Sequence, residues 1–178
     1  DCLVRDKSQY RNHNLGTWVS NQRATRGSLT AEQVNRLEAL GFVWDVLQYK
    51  WEAAFKCLAA YKKEFGDCLV PQLYKHSEFK LGTWVGGQRH KKEQLTAEQI
   101  KRLDDLGFVW NTRDYQWEEG FNHLVAYEKD FGDCLVPRLY TYHEFKLGIW
   151  VGNQRSRKKR LINEQVERLD DLRFVWKV

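Results

Sequence analysis

The 178-residue chain contains no methionine, only two prolines and only four cysteines. No apolar run approaches the ~20 residues that a membrane span needs. No charged-then-apolar leader opens the chain, so nothing marks secretion, and an intracellular location, cytoplasmic or nuclear, is the expectation. A G-x-x-x-x-G-K-[ST] loop and an Asp-Glu box are missing, so ATP hydrolysis is not encoded in this stretch. The cysteines lack partners: Cys2, Cys68 and Cys134 are one position repeated, and Cys57 has His123 where a counterpart would stand. With no pairing within a unit and no C-x-x-C spacing, they read as small buried thiols in a reducing compartment. No metal or other cofactor is implied. The five histidines meet no Ser or Cys nucleophile at a recognisable spacing, so an enzyme is not the expectation.

What is present is a repeat. Phe79-Lys80-Leu81-Gly82-Thr83-Trp84-Val85-Gly86-Gly87-Gln88-Arg89 returns as Asn14 to Arg23 and as Phe145 to Arg155, with Trp18, Trp84 and Trp150 each 66 residues apart. Tandem units of 1–44, 45–110 and 111–178 follow, the first lacking its first helix. A 66-residue unit is just long enough to fold alone, and abundant Trp, Tyr and Phe supply core mass. Asp1 matches Asp67 and Asp133, which sit inside a unit, so the chain reads as a segment of a longer array.

The fold class expected is all-α: tandem small three-helix bundles, about eight helices in total. In the middle unit, Trp51, Ala54, Phe55, Leu58, Tyr61 and Phe65 share one helical face. Asp45 caps its start and Gly66 closes it. Val70-Pro71 then forces an extended connector with an apolar inward face. A second helix runs from about Phe79 to Arg89. Gly82 recurs inside it despite a cost of about 1 kcal/mol relative to Ala, which predicts close approach of another backbone. The third helix opens on the capping box Thr96-Ala97-Glu98-Gln99, as it does on Thr30-Ala31-Glu32-Gln33. In the third unit Ile162 replaces the capping Thr and Arg173 replaces the closing Gly, so that helix is expected to begin and end less crisply. The first unit holds two helices, about Leu15 to Arg26 and Thr30 to Leu40, with an apolar face left open. Short apolar joints, Gly41 to Trp44 and Gly107 to Trp110, predict that consecutive units touch.

The net charge is +5, and the positive residues return to one place. After each Gln-Arg the chain turns basic: Arg23 and Arg26; Arg89, Lys91 and Lys92; Arg155, Arg157, Lys158, Lys159 and Arg160. The third helix is acidic by contrast, with Asp104 and Asp105, then Asp170 and Asp171. Carboxylates there would repel phosphate, so the expected contact surface is the end of helix two and the loop after it, extended by Lys80 and Lys146. Gln22, Gln88 and Gln154 are candidates for base-edge or phosphate hydrogen bonds. The plainer reading of the loop is a solubilising helix C-terminus favoured by the dipole. The plainer reading of the Gln-Arg arginines is that they hold an acidic residue on helix three. The recurrent tryptophans read as core.

Trp51, Leu58, Tyr61, Gly66, Val70-Pro71, Leu81-Gly82-Thr83-Trp84, Gln88-Arg89, Leu95, Gln99, Leu103, Gly107-Phe108 and Trp110, in that order, resemble the helicase-associated domain, and the resemblance covers the whole chain. It implies three-helix modules in tandem, an accessory nucleic-acid-binding role with DNA the first expectation, and a helicase core as partner in the same or a larger chain. The alternative is a protein-interaction scaffold that self-associates, basic end to acidic end or through the incomplete first module.

Overall fold

The computed structural model describes residues 3, 4 and 8–177. Among them the chain is all-α, with eight helices and isolated bridges in place of strands. The helices are α1 (Leu15–Ala24), α2 (Ala31–Ala39), α3 (Val46–Phe65), α4 (Leu81–His90), α5 (Ala97–Asp105), α6 (Thr112–Phe131), α7 (Leu147–Ser156) and α8 (Asn163–Asp171). One-turn 3-10 segments, Arg26–Ser28, Lys92–Gln94 and Lys158–Arg160, precede α2, α5 and α8. The chain divides into two compact units, Asp1–Phe108 and Val109–Val178. No helix among the described residues is long and apolar enough to cross a membrane.

In the first unit, local chemistry sets the ends of α3. The Asp45 carboxylate accepts from the Gln48 N–H at 2.8 Å, and Gly66 adopts φ +89°, which a side chain disfavours. Trp51, Ala54, Leu58 and Tyr61 form its buried face, and Leu81 and Val85 of α4 and Leu103 of α5 are buried in the same unit. Each fully buried Leu contributes roughly 2 kcal/mol. Phe55 is half-buried, and Phe65, expected in the core, is 50% exposed. Phe65 instead lays its ring over Tyr61 and Tyr74 from outside, at 4.4 and 5.9 Å. Phe131 repeats this against Tyr127 and Tyr140.

The connector buries Cys68 and Val70 and carries the Pro71 carbonyl onto α4. A Cβ on Gly82 would lie 2.0 Å from that oxygen, and on Gly148 2.1 Å from the Pro137 oxygen, so the backbone approach expected of this glycine is present. The helix starts later than its expected Phe79, because Phe79 bridges back to His76 and Lys80 takes the N-cap position.

Both capping boxes form: Thr30 with Gln33 and Thr96 with Gln99. In α8, Ile162 has no side-chain acceptor, and only the half in which its N–H donates to Gln165 Oε1, at 3.3 Å, survives. Arg173 takes φ +57° where Gly41 and Gly107 have +72°. α8 nevertheless keeps nine residues, as α5 does. The weaker ends appear in the bonding, not in the bounds.

The first module has a small core of Val19, Leu37 and Phe42, flanked by Leu15, Leu29 and Trp44. Its first helix ends at Ala24, and Arg26 falls in the 3-10 turn. Trp18 was expected in the core with its counterparts and is 48% exposed. Trp84 and Trp150 are half-buried because Trp51 and Trp117 stand 6.2 and 6.1 Å away; Trp18 has no such neighbour among the described residues. Cys2 and Arg5, aligned with the connector by sequence, lie outside the described residues.

Candidate nucleic-acid interface

The Gln-Arg pair sits in the last turn of α1, α4 and α7. Its arginines turn inward. Arg23 Nε donates to the Val43 carbonyl and Arg155 Nε to the Val175 carbonyl, both at 2.8 Å. Their guanidinium groups lie over Phe42 and Phe174, as that of Arg89 lies over Phe108. The pair therefore clamps the segment that closes each module. These contacts run to the closing segment, which follows helix three. Burial pulls Arg89 and Arg155 below the ordinary arginine range.

The glutamines are internal as well. Gln88 Oε1 accepts from the Trp51 indole at 3.0 Å. Gln154 is buried and donates to the Trp150 carbonyl at 3.1 Å. Gln22 is half-buried.

The residues that follow are different. Lys91, Lys92, Arg157, Lys158, Lys159 and Arg160 are exposed, on or beside the 3-10 turns. Lys158 Nζ stands 4.0 Å above the Trp176 ring. Arg26 lies over Trp44 at 4.7 Å and within 3.6 Å of Glu38, both partly solvated. Each loop thus offers cations to solvent, in the first and third modules beside an aromatic ring. Lys80 and Lys146 are exposed but stand at the opposite ends of α4 and α7, roughly 15 Å of helix away. The first two amides there are already used: Leu81 and Gly82 N–H donate to Phe79 and Tyr74, and Leu147 and Gly148 to Phe145 and Tyr140. The structure thus does not gather the fifteen sequence-proposed residues into one patch in any module.

The acidic helices are also partly committed to the fold. Arg102 grips Glu52 with two bonds, at 2.5 and 2.9 Å, and Arg168 grips Glu118 at 2.5 and 2.8 Å. Each guanidinium lies over a stacked Trp and Phe of the long helix. Glu38 and Asp170 accept from the indoles of Trp44 and Trp176. A carboxylate at these helix C-termini, unfavourable with the dipole, is thereby given a donor. The hydrogen bond from Arg168 holds the Glu118 carboxyl below its ordinary range, and Arg102 does the same for Glu52. Cys68 and Cys134 donate to the carbonyls of Leu106 and Leu172, and burial pushes the Cys134 thiol up to about 11.

Missed from the sequence was Arg113, which opens α6 and faces the same cleft as Arg157 and Arg160. The signal was a difference between copies, since Leu47 stands at that place in the second module.

The family model of the helicase associated domain matches residues 1–45, 48–111 and 114–177. No curated protein and no solved structure matches the chain.

Proposed function

The chain belongs to the helicase-associated domain family, and from that premise we propose that it is a non-catalytic nucleic-acid-binding array. The exposed loop cations, Arg26, Lys91, Lys92, Arg157, Lys158, Lys159 and Arg160, carry the phosphate contacts, with Lys80 and Lys146 widening the footprint. DNA is the first ligand, a helicase core the partner it serves, and the cell interior its place. The observation that supports this most is the separation of roles at one locus. The Gln-Arg arginines are spent on the fold, while the cations after them, in all three copies, face solvent. Affinity then sums over modules.

Fluorescence polarisation with labelled duplex DNA, single-stranded DNA and structured RNA across a salt series tests the reading. Seven loop cations on phosphates give a log–log salt slope of about −6. Reversal of Lys91, Lys92 and Lys159 to Glu removes binding. Unchanged binding by that variant, or none to any ligand at low salt, refutes it. The scaffold reading draws on the basic and acidic ends of each module. It predicts a salt-sensitive oligomer without nucleic acid, and sedimentation would reveal it. The use of Glu38 and Asp170 as indole acceptors within their own modules weighs against that second reading.

A further inference from the structure

We infer that the third module carries a pocket for one unpaired nucleotide, an inference that rests on the binding reading above. A cleft of about 380 Å³ lies between the start of α6, the end of α7 and the basic loop, within the range of small-ligand sites. Trp117 and Trp150 form its aromatic wall. Arg113, Arg157 and Arg160 line it and are exposed. Gln116, Asn153 and Gln165 add amides.

A second observation sets the third module apart from the second. Trp117 is 6% exposed, and its indole N–H has no acceptor among the described residues. In the second module the matching indole, of Trp51, donates to Gln88. In the third, Gln154 spends its amide on the Trp150 carbonyl, and the indole donor is left over. That donor atom is closed to solvent, so it marks a difference in packing beside the cleft and not a contact for a ligand.

The differences between copies converge on the same cleft. Where the second module has Leu47, Gly87, Lys91 and Gln94, the third has Arg113, Asn153, Arg157 and Arg160. Where the second has Ala54, the third has Gly120. A Cβ on Gly120 would lie 2.0 Å from Trp150 Nε1, so the indole occupies space that only glycine leaves open. The result is a recessed aromatic wall below three guanidinium groups and several amides. Guanidinium matches phosphate in a two-bond fork, amides read base edges, and the half-buried Trp150 is the ring left for a base to meet, since Phe121 and Arg168 cover Trp117. A base stacked and paired in a duplex cannot enter. The pocket therefore selects an unpaired strand.

Polarisation binding of the full chain to single-stranded and duplex DNA of equal length, at fixed salt, tests this. The single strand is expected to bind about tenfold more tightly. Arg113→Leu/Arg160→Gln installs second-module residues at exposed positions and removes the preference. Lys91→Gln/Lys92→Gln removes equal charge elsewhere, weakens both ligands alike and keeps the ratio. Gly120→Ala pushes Trp150 outward while favouring the helix, and also removes the preference. In parallel, the Trp117 indole signal, identified by its loss in Trp117→Phe, is followed by NMR during titration with a nucleoside 5′-monophosphate. A saturable shift is expected in the wild type and none in Gly120→Ala. Equal binding of both DNAs, equal ratios in the two double variants, or an unmoved Trp117 signal overturns the pocket and leaves the loop contacts standing. Failure of both DNAs to bind at low salt refutes the underlying reading, and the pocket falls with it.

Discussion

Replacing Arg155 and Lys159 one at a time separates folding from binding within a single loop region. Arg155 is half-buried, donates to the Val175 carbonyl at 2.8 Å and lies 5.5 Å from the Phe174 ring centre. A hydrogen bond from a charged group is worth about 1.5–3 kcal/mol, and the ring contact adds about 0.5–1 kcal/mol. Against this, Nη2 of Arg155 is buried without an acceptor among the described residues, and removing it recovers about 1 kcal/mol. Arg155→Ala should therefore destabilise the second unit by about 2 kcal/mol, lowering Tm by roughly 10 °C for a unit of this size. Its salt slope for DNA binding should not change. Lys159 is exposed. Lys159→Ala should move stability by less than about 0.5 kcal/mol and reduce the slope by about 0.9. Calorimetric melting and a polarisation salt series on the same preparations give both numbers. If Arg155→Ala melts like the wild type and loses 0.9 or so of slope, the inward assignment of the Gln-Arg arginine is wrong.

Gly148→Ala should destabilise the second unit by about 3 kcal/mol, because its Cβ would meet backbone at Pro137 and Arg138, which cannot swing aside; an unchanged urea midpoint would contradict this. Arg173→Gly should stabilise by about 1 kcal/mol by relieving φ +57°, read as a Tm rise of roughly 4–8 °C. Glu118 is held below its ordinary range by Arg168. Its contribution is thus present above the ordinary carboxylate range and lost as pH falls through the lowered folded value. The Tm gap between wild type and Glu118→Gln should close in acid, and a gap constant from neutral to acid pH would remove the ion pair from the account. At pH 8 a thiol reagent should modify the half-buried Cys57 well before Cys68 or Cys134; equal rates would contradict their burial.

The helix limits were legible because their causes are local. Asp45, Gly66, Thr96 and Gln99 act within one turn of themselves. Gly82 and Gly148 were legible because a recurrent glycine inside a helix has few explanations besides a close neighbour. The direction of the Gln-Arg arginines was not legible. Their acceptors, Val43 and Val175, lie twenty residues on and come into reach only when the module closes. One clue was available: Gln-Arg is the same in all three copies, whereas of the positions after it only that of Arg26, Lys92 and Lys158 is cationic in every copy, and there it is Arg or Lys. A fold clamp that needs one geometry resists substitution. A phosphate contact accepts either cation.

That contrast bears on the third module. In all three modules the Gln-Arg arginine is stacked on a Phe, and in the second and third an arginine of the last helix forks onto a Glu. These are uses of a planar, multi-donor group that lysine cannot copy. The exposed lysines supply charge alone. If charge were all that the cleft of the third module required, nothing would favour arginine there, and leucine and glutamine at the same two places in the second module would be hard to reconcile with a uniform array. Arginine at 113, 157 and 160 puts planar forks on the outside of the cleft, beside the half-buried Trp150 indole. The two kinds of cation therefore divide the work. On the proposed reading, every loop cation adds to any phosphate chain, and the three arginines of the cleft add a planar fork where one nucleotide has left its neighbours.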